Sequence, residues 1–177
     1  MLDWALPRSL VETRMNHIYV VLILSASLTL HSFAAAAYSG DIHGRVSSGE
    51  IDAEGMQFIS DHLRDKLQII ERVEVTLVDH NPLVLSVETR SGRSGPFIIS
   101  IDRDFAGSLT PDELEAAIAH ELGHVWIYTH HPYLQTERLA NDIALRVVSR
   151  SMLQPVYEKV WKRTGIKGNL VELIGEP

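Results

Sequence analysis

Two histidines and the glutamate between them are the residues whose types and spacing most clearly predict chemistry. They stand in the segment His120-Glu121-Leu-Gly-His124. On a helix, positions i and i+4 lie one turn apart on the same face, so both imidazoles can reach one metal ion. Glu121 projects roughly 100° further round such a helix. From there its carboxylate can reach a metal-bound water as a general base without capturing the metal itself.

A third metal ligand is required, because a catalytic zinc ion is held by three protein side chains and keeps one position for water. His130 stands six residues after His124, which is the metzincin spacing, but Ile127 occupies the place of that pattern's glycine. A continued helix would turn His130 away from the metal. Because Pro132 disfavours helical geometry at His131, we expect both later histidines in a polar loop at the rim of the cleft.

Glu137 is the better candidate for the third ligand. The segment from Thr136 to Leu145 predicts a second helix, and a glutamate near its start could face the first helix across a short loop. The apolar side of this helix consists largely of Leu139, Ile143, Val147 and Val148. The competing interpretation of Glu137 is an acidic residue favoured by the dipole at a helix N-terminus.

If the metal-bound water attacks a carbonyl group, the site also needs a donor that stabilises the negative charge developing on the carbonyl oxygen. The candidate donors are Tyr133, His131, Arg138, Arg146 and Tyr157, and the sequence does not choose among them. Arg138, Asp142 and Arg146 recur at intervals of four residues, which favours a solvated stripe of ion pairs for them. His62 lies near the apolar face of an earlier helix and receives no role.

The segment that carries the two histidines is predicted to be a well-capped helix. Thr110 is its N-cap, Pro111 takes the first helical position and Glu113 completes a capping box. Three extended segments precede it, at residues 73–78, 83–88 and 97–101. A loop rich in turn formers separates the last two, which predicts a hairpin.

Two further helices complete the expected fold. The first begins at a capping box, Ser47-x-x-Glu50, and continues to about Glu71. Its predicted apolar face consists of Ile51, Phe58, Ile59, Leu63, Leu67 and Ile70. The second, at residues 155–163, carries Tyr157 and Trp161 and closes the chain. We therefore expect an α+β fold, with a small antiparallel or mixed sheet packed on helices, in one domain over residues 38–177.

The N-terminal segment predicts export. Basic residues precede an apolar run at 18–30, and alanines follow at 34–37. This arrangement is typical of a secretory signal with cleavage after Ala37. The alternative is an uncleaved membrane anchor, because residues 18–37 are about long enough to span a bilayer. Both interpretations predict a periplasmic or otherwise extracytoplasmic location.

Composition excludes several other functions. The formal net charge is −7, which argues against a nucleic-acid partner. The chain has no cysteine, so disulfides, thiolate zinc sites and cysteine nucleophiles are ruled out. The expected partner is a peptide or protein substrate, with membrane contact only through the N-terminal segment if that segment is retained.

The motif pair His120-Glu-Leu-Gly-His124 and Glu137-x-x-Ala140 resembles the gluzincin zinc metallopeptidases, especially the HtpX-like group and the compact minigluzincins. The resemblance implies a zincin-like fold in which His120, His124 and Glu137 bind Zn²⁺ and Glu121 is the general base. It also implies that residues 97–101 form the strand that pairs with an extended substrate. The family's aspartate falls at Asn141, which can accept a hydrogen bond from an imidazole but lacks negative charge.

These patterns together predict an exported zinc metalloendopeptidase that hydrolyses peptide bonds through a zinc-activated water. The first alternative is a zinc-containing binding or chaperone-like module of the cell envelope with little proteolytic activity, motivated by the asparagine at position 141. The second is a structural protein without metal, in which the histidines are incidental.

Overall fold

The computed structural model describes residues 52–90 and 95–176. In chain order, its elements are helix α1 (Ala53–Lys66), strands β1 (Val73–Val78), β2 (Leu85–Thr89) and β3 (Phe97–Asp102), and helices α2 (Arg103–Ser108), α3 (Pro111–His130), α4 (Glu137–Ala144), α5 (Arg150–Thr164) and α6 (Leu170–Ile174). A single 3₁₀ turn, Pro132–Leu134, connects α3 to α4. The predicted export signal at residues 1–37 lies outside the described ranges, as do Ser47 and Glu50.

The three strands form one mixed sheet in the order β1-β3-β2. Strand β1 runs parallel to β3 and β2 runs antiparallel to it, with Leu85 opposite Ile101 and Thr89 opposite Phe97. The predicted hairpin of the second and third strands is thereby confirmed. The expectation that β3 pairs with a substrate is wrong, because β1 and β2 occupy both of its edges. Of the two outer strands, β2 contributes residues to the cleft described below.

Helices and sheet enclose a shared core, so the α+β class predicted from the sequence is confirmed. Helix α1 packs against β1 and α3, and α3 also contacts β2, β3, α4 and α5. Fully buried side chains from each layer meet in this core, among them Met56, Leu63, Ile99, Ile118 and Leu122. Helix α3 is therefore the central element, and its position relative to the neighbouring helices determines the site.

Helix α1 is shorter than the sequence predicts. Asp52 is its N-cap, and the carboxylate of Asp52 accepts a hydrogen bond from the Gly55 N–H at 2.8 Å. The helix ends at Lys66, and Gln68 then takes a left-handed conformation with φ of 58°. This change of direction carries Ile70 off the predicted apolar face and leaves it 92% exposed.

Helix α3 begins as the sequence predicts. Glu113 N–H donates to Thr110 Oγ1 at 3.3 Å, and Thr110 N–H donates to Glu113 Oε2 at 2.6 Å. These reciprocal bonds satisfy two backbone donors that a helix start would otherwise leave without partners. Within residues 52–90 and 95–176, no helix combines the length and the apolar character needed to cross a bilayer.

The two helices after α3 also follow the prediction in outline. Helix α4 is capped by Thr136, whose hydroxyl accepts from Leu139 N–H at 3.2 Å. Helix α5 is longer than expected, because it starts at Arg150 and contains Pro155 in its interior. The lengthened α5 crosses α3 and carries Tyr157 to the same end of the molecule as the two motif histidines.

Candidate metal centre

Three side chains from α3 and α4 converge on one point. His120 Nε2 lies 3.3 Å from His124 Nε2. Glu137 places Oε2 at 3.2 Å from His120 Nε2 and Oε1 at 3.5 Å from His124 Nε2. All three residues offer a ligand atom within 4.8 Å of the others, so this group could hold a metal ion. The structure thus brings together the three residues that the sequence nominated as ligands.

The spacing of these atoms fits a small tetrahedral ion. Ligand nitrogens and oxygens about 2.0–2.1 Å from a tetrahedral zinc lie about 3.3–3.4 Å from one another. The two imidazole nitrogens are 3.3 Å apart, which matches that value, and each of them has a different Glu137 oxygen nearby, Oε2 at 3.2 Å from His120 and Oε1 at 3.5 Å from His124. Two imidazoles and one carboxylate also form a donor set that suits zinc, with a fourth position left for water. The residues present therefore fit the metal that the motif implies.

A close approach of two helices makes this convergence possible. A Cβ atom built on Gly123 would lie 3.0 Å from the Cα of Ala140 and closer still to the Ala140 carbonyl oxygen. Only glycine lets the backbone of α4 come so near to α3. Since Gly123 immediately precedes His124 and Ala140 lies one turn after Glu137, the contact holds the carboxylate ligand within reach of the imidazoles.

The second ring nitrogen of His120 is oriented by Asn141. His120 Nδ1 lies 2.8 Å from Asn141 Oδ1. Metal-binding histidines commonly donate their other N–H to such an acceptor, which selects the tautomer and fixes the ring. The sequence predicted this contact for Asn141, which is fully buried.

The second ring nitrogen of His124 is oriented by Gln135, a residue that the sequence analysis did not nominate. His124 Nδ1 lies 3.0 Å from Gln135 Oε1, and Gln135 Nε2 donates to the His124 carbonyl at 3.1 Å. The same amide therefore holds both the ring and the backbone of one ligand. The only signal in the sequence is an amide side chain two residues before Glu137, in the connection between the helices.

Glu121 lies in a cleft next to the three converging side chains and is 4% exposed. The cleft has a volume of about 180 Å³. Its lining includes Glu121, His120, Glu137 and Tyr157, and most of its remaining wall is apolar: Leu83, Leu85, Leu153, Val156 and Val160. Burial raises the pKa of Glu121 above the usual carboxyl value. A carboxylate tuned in this direction is suited to exchanging protons near neutral pH.

Tyr157 is the oxyanion-donor candidate that the structure places in this cleft. Its hydroxyl oxygen lies 3.4 Å from Glu137 Oε2 and 2.8 Å from Asn141 Nδ2. Burial, followed by the negative charge of Glu137, raises the pKa of Tyr157, so its hydroxyl stays protonated. The hydroxyl hydrogen is directed at Glu137 Oε2 or at Asn141 Oδ1, 3.0 Å away, so it would donate to a substrate oxygen by leaving those acceptors.

The other candidate donors lie elsewhere. Tyr133 is 90% exposed. Arg138 pairs with Asp142 at 3.1 Å, as the sequence predicts for an exposed stripe. Arg146 lies 5.1 Å above the ring of Trp126 rather than continuing that stripe.

His130 and His131 stand at the end of α3. The expectation of a loop position is wrong for His130, because it is the last helical residue. Its ring stacks on Trp126 with centroids 4.1 Å apart, and its Nδ1 lies 2.9 Å from the Trp126 carbonyl oxygen. His131 is the C-cap of the helix. The His130 ring is therefore engaged on the surface of α3, away from the three converging side chains.

His120 and Glu137 shift each other's pKa. Burial lowers the pKa of His120, but the hydrogen bond and negative charge of Glu137 outweigh that effect and raise the pKa to about 9. Burial likewise raises the pKa of Glu137, and its hydrogen bonds to His120 and His124 more than reverse this. Without a metal ion, His120 and Glu137 therefore share a proton. A metal ion must displace that proton to bind.

Comparison with protein-family models, with curated proteins and with solved structures gave no match for this chain. Its function is therefore inferred from the geometry of the site itself.

Proposed function

We propose that this chain is a zinc metalloendopeptidase of the gluzincin type, with a zincin-like fold and an extracytoplasmic location. The observation that carries the proposal is the convergence of His120, His124 and Glu137 at separations of 3.2–3.5 Å. Support for the enzyme comes from Glu121, which lies beside this cluster in a partly apolar cleft. The proposed export rests on the N-terminal sequence.

The proposed chemistry divides among the metal, its three candidate ligands, the general base and the side chains that orient the imidazoles. Zinc, when bound, lowers the pKa of a bound water to about 7 and polarises a substrate carbonyl. Glu121 takes the proton of the attacking water and later delivers it to the leaving amine. His120, His124 and Glu137 hold the metal. Asn141 and Gln135 keep the two imidazoles in the tautomer that presents Nε2 to it.

Tyr157 is assigned the donor role in this proposal. Its protonated hydroxyl would stabilise the negative charge that develops on the peptide carbonyl oxygen during attack. The contact of 3.4 Å between this hydroxyl and Glu137 places the donor beside the metal ligands. No other candidate donor from the sequence lies in the lining of the cleft.

An extended peptide is the proposed substrate, and β2 is the strand that it would join. Asp102 N–H donates to the Val84 carbonyl, and Arg90 N–H donates to the Pro96 carbonyl. In an antiparallel pair this alternation turns the backbone groups of Leu85 and Val87 outward. Among the described strands, none pairs with that outer edge. A peptide added there would pass Leu85 at the cleft, whose apolar wall favours apolar side chains.

The first test compares metal content and hydrolysis in the chain from Tyr38 onward. We expect about one zinc per wild-type chain by mass spectrometry, lost in Glu137→Ala and kept in the control His130→Ala. Glu121→Gln should keep the zinc and reduce hydrolysis of a peptide mixture by about 10²- to 10⁴-fold.

Each result has a distinct meaning. A wild-type chain without zinc would overturn the proposal. Hydrolysis that survives Glu121→Gln would rule out this mechanism. Zinc binding without any hydrolysis by the wild type would favour the alternative, a zinc-containing binding or chaperone-like module of the cell envelope.

A further inference from the structure

Asn141 connects the metal centre to the C-terminal helix. It is fully buried, and its Oδ1 lies 2.8 Å from His120 Nδ1. Its Nδ2 donates to the Leu173 carbonyl at 2.9 Å and to the Tyr157 hydroxyl at 2.8 Å. Both amide hydrogens and the amide oxygen are thus used, each by a different part of the fold.

The Leu173 carbonyl determines which way this amide points. The oxygen and nitrogen of an asparagine side chain are assigned from their hydrogen-bond partners. A tyrosine hydroxyl can donate or accept, and the Tyr157 hydroxyl also lies 3.0 Å from Asn141 Oδ1, so it does not decide the orientation. A backbone carbonyl can only accept, so the atom facing Leu173 must be the nitrogen. The oxygen must then face His120.

The orientation of the amide in turn sets the tautomer of His120. An acceptor at Nδ1 keeps the proton on that nitrogen. Nε2 is then the nitrogen that faces His124 and Glu137, which lie 3.3 Å and 3.2 Å away, and it offers its lone pair once a metal ion has displaced the proton shared with Glu137. One backbone oxygen near the end of the chain therefore prepares a ligand on the central helix.

Two arginine side chains bind backbone carbonyls on either side of Leu173. Helix α6 has only five residues, too few to be stable by itself. The guanidinium of Arg150 donates to the carbonyls of Ile174 and Gly175, and to that of Glu176 at 3.0 Å. Arg138 donates to the Glu172 carbonyl at 3.3 Å. Helix α6 also buries Ile174, which is 3% exposed.

From these contacts we propose that α6 is a positioning element of the metal centre, acting through the Leu173 carbonyl and Asn141 on His120. This inference rests on the metal-binding part of the proposed function. It also accounts for asparagine at position 141. An aspartate there would turn a carboxylate oxygen toward the Leu173 carbonyl, leaving two buried acceptors facing each other without a hydrogen. In this chain the neutral amide is the residue that fits.

The first experiment needs no metal. Hydrogen exchange is followed by mass spectrometry in the metal-free full chain, for wild type and Asn141→Asp. We expect exchange in residues 169–176 to be about tenfold faster in the variant, since the Leu173 carbonyl loses its buried hydrogen-bond donor. Exchange in α1, which lies outside the network, should remain the same. Unchanged exchange in residues 169–176 would overturn the proposal.

The second experiment measures zinc affinity by competition with a chelator. Arg150→Gln should release α6 and weaken zinc binding about tenfold, in the range expected when the support of a ligand is lost. The control Lys162→Gln removes one positive charge from an exposed site on α5, the helix that also carries Arg150. This variant should bind zinc like the wild type. Asn141→Asp should also bind more weakly, although it adds a negative charge near the metal.

The outcomes separate this inference from the proposed function. Wild-type affinity in Arg150→Gln, or tighter zinc binding in Asn141→Asp, would overturn the positioning role while leaving a zinc enzyme in place. A wild-type chain that binds no zinc would overturn the proposed function, and hydrogen exchange would still decide whether Leu173 and Asn141 are coupled.

Discussion

The Cα of Ala140 lies 3.0 Å from the position that a Cβ on Gly123 would occupy. The two helices that supply the candidate ligands are therefore in backbone contact at the centre of the site. The contact explains the glycine between Glu121 and His124, in the interior of α3, where glycine by itself costs roughly 1 kcal/mol relative to alanine. The glycine in the sequence motif is thus what allows the close spacing of α3 and α4.

Gly123→Ala should destabilise the protein and weaken zinc binding. The new methyl group would collide with backbone atoms of Ala140, which cannot move like a flexible side chain. We expect a loss of about 1–3 kcal/mol in the free energy of unfolding. We also expect weaker zinc binding, because Glu137 would shift with α4.

The control Gly107→Ala has no atom within 4 Å of the new Cβ and should be neutral or slightly stabilising. Urea unfolding and chelator competition measure both effects, and a fully stable Gly123→Ala would contradict this account.

Gln135→Ala should reduce zinc affinity with little effect on folding. The substitution removes the acceptor at 3.0 Å from His124 Nδ1 and leaves the ring free to rotate. A loss of about 10- to 100-fold in affinity is expected for such a support. Gln154→Ala, at an exposed glutamine on α5, is the matched control. Equal zinc affinity in the two variants would show that Gln135 does not orient His124.

Tyr157→Phe should lower kcat while zinc remains bound. The change removes the proposed donor to the oxyanion, and the loss of one such donor costs about 10²- to 10³-fold. KM should change little, because the interaction strengthens only as charge develops. Tyr133→Phe is the control, since Tyr133 is 90% exposed and does not line the cleft. Loss of zinc from Tyr157→Phe would instead indicate that Tyr157 acts through Asn141 on the metal site.

The free energy of unfolding of the metal-free protein should fall in acid as Asp102 becomes protonated. Burial raises the pKa of Asp102, but hydrogen bonds from Phe105 N–H and Asn81 N–H, together with Arg163, outweigh burial and lower it. A carboxyl whose pKa is lower in the folded state stabilises that state above its unfolded pKa, about 4. This contribution is lost as pH falls through the lower folded value.

Urea unfolding at a series of pH values from about 7 to 3 tests this expectation. Asp102→Asn should lower the free energy of unfolding by about 1–3 kcal/mol at pH 7 and flatten its decline in acid, because the substituted side chain no longer titrates. Asp104→Asn is the control, since the Asp104 side chain is 82% exposed and 3.9 Å from Arg163. An equal decline in wild type and Asp102→Asn would contradict the prediction.

Local features of this protein were predictable from the sequence because they depend on residues close together in the chain. The capping box of Thr110 and Glu113 spans three residues, and the shared face of His120 and His124 follows from the pitch of one helix. Strand β1 alternates apolar and polar residues from Val73 to Leu77. Glu137 could be nominated because it opens the next helix. The end of α1 was predicted less well, since Gln68 reverses the chain in a left-handed conformation that glutamine rarely adopts.

Only the tertiary structure decided the features that join distant segments. The place of β3 between β1 and β2 depends on which strands pair across the sheet, and strand periodicity carries no such information. The support of His124 by Gln135 depends on the path of the chain between two helices. The link from Leu173 to Asn141 spans 32 residues and ends on a backbone oxygen. Every residue except proline carries the same backbone groups, so side-chain identity cannot reveal which carbonyl will face a buried amide.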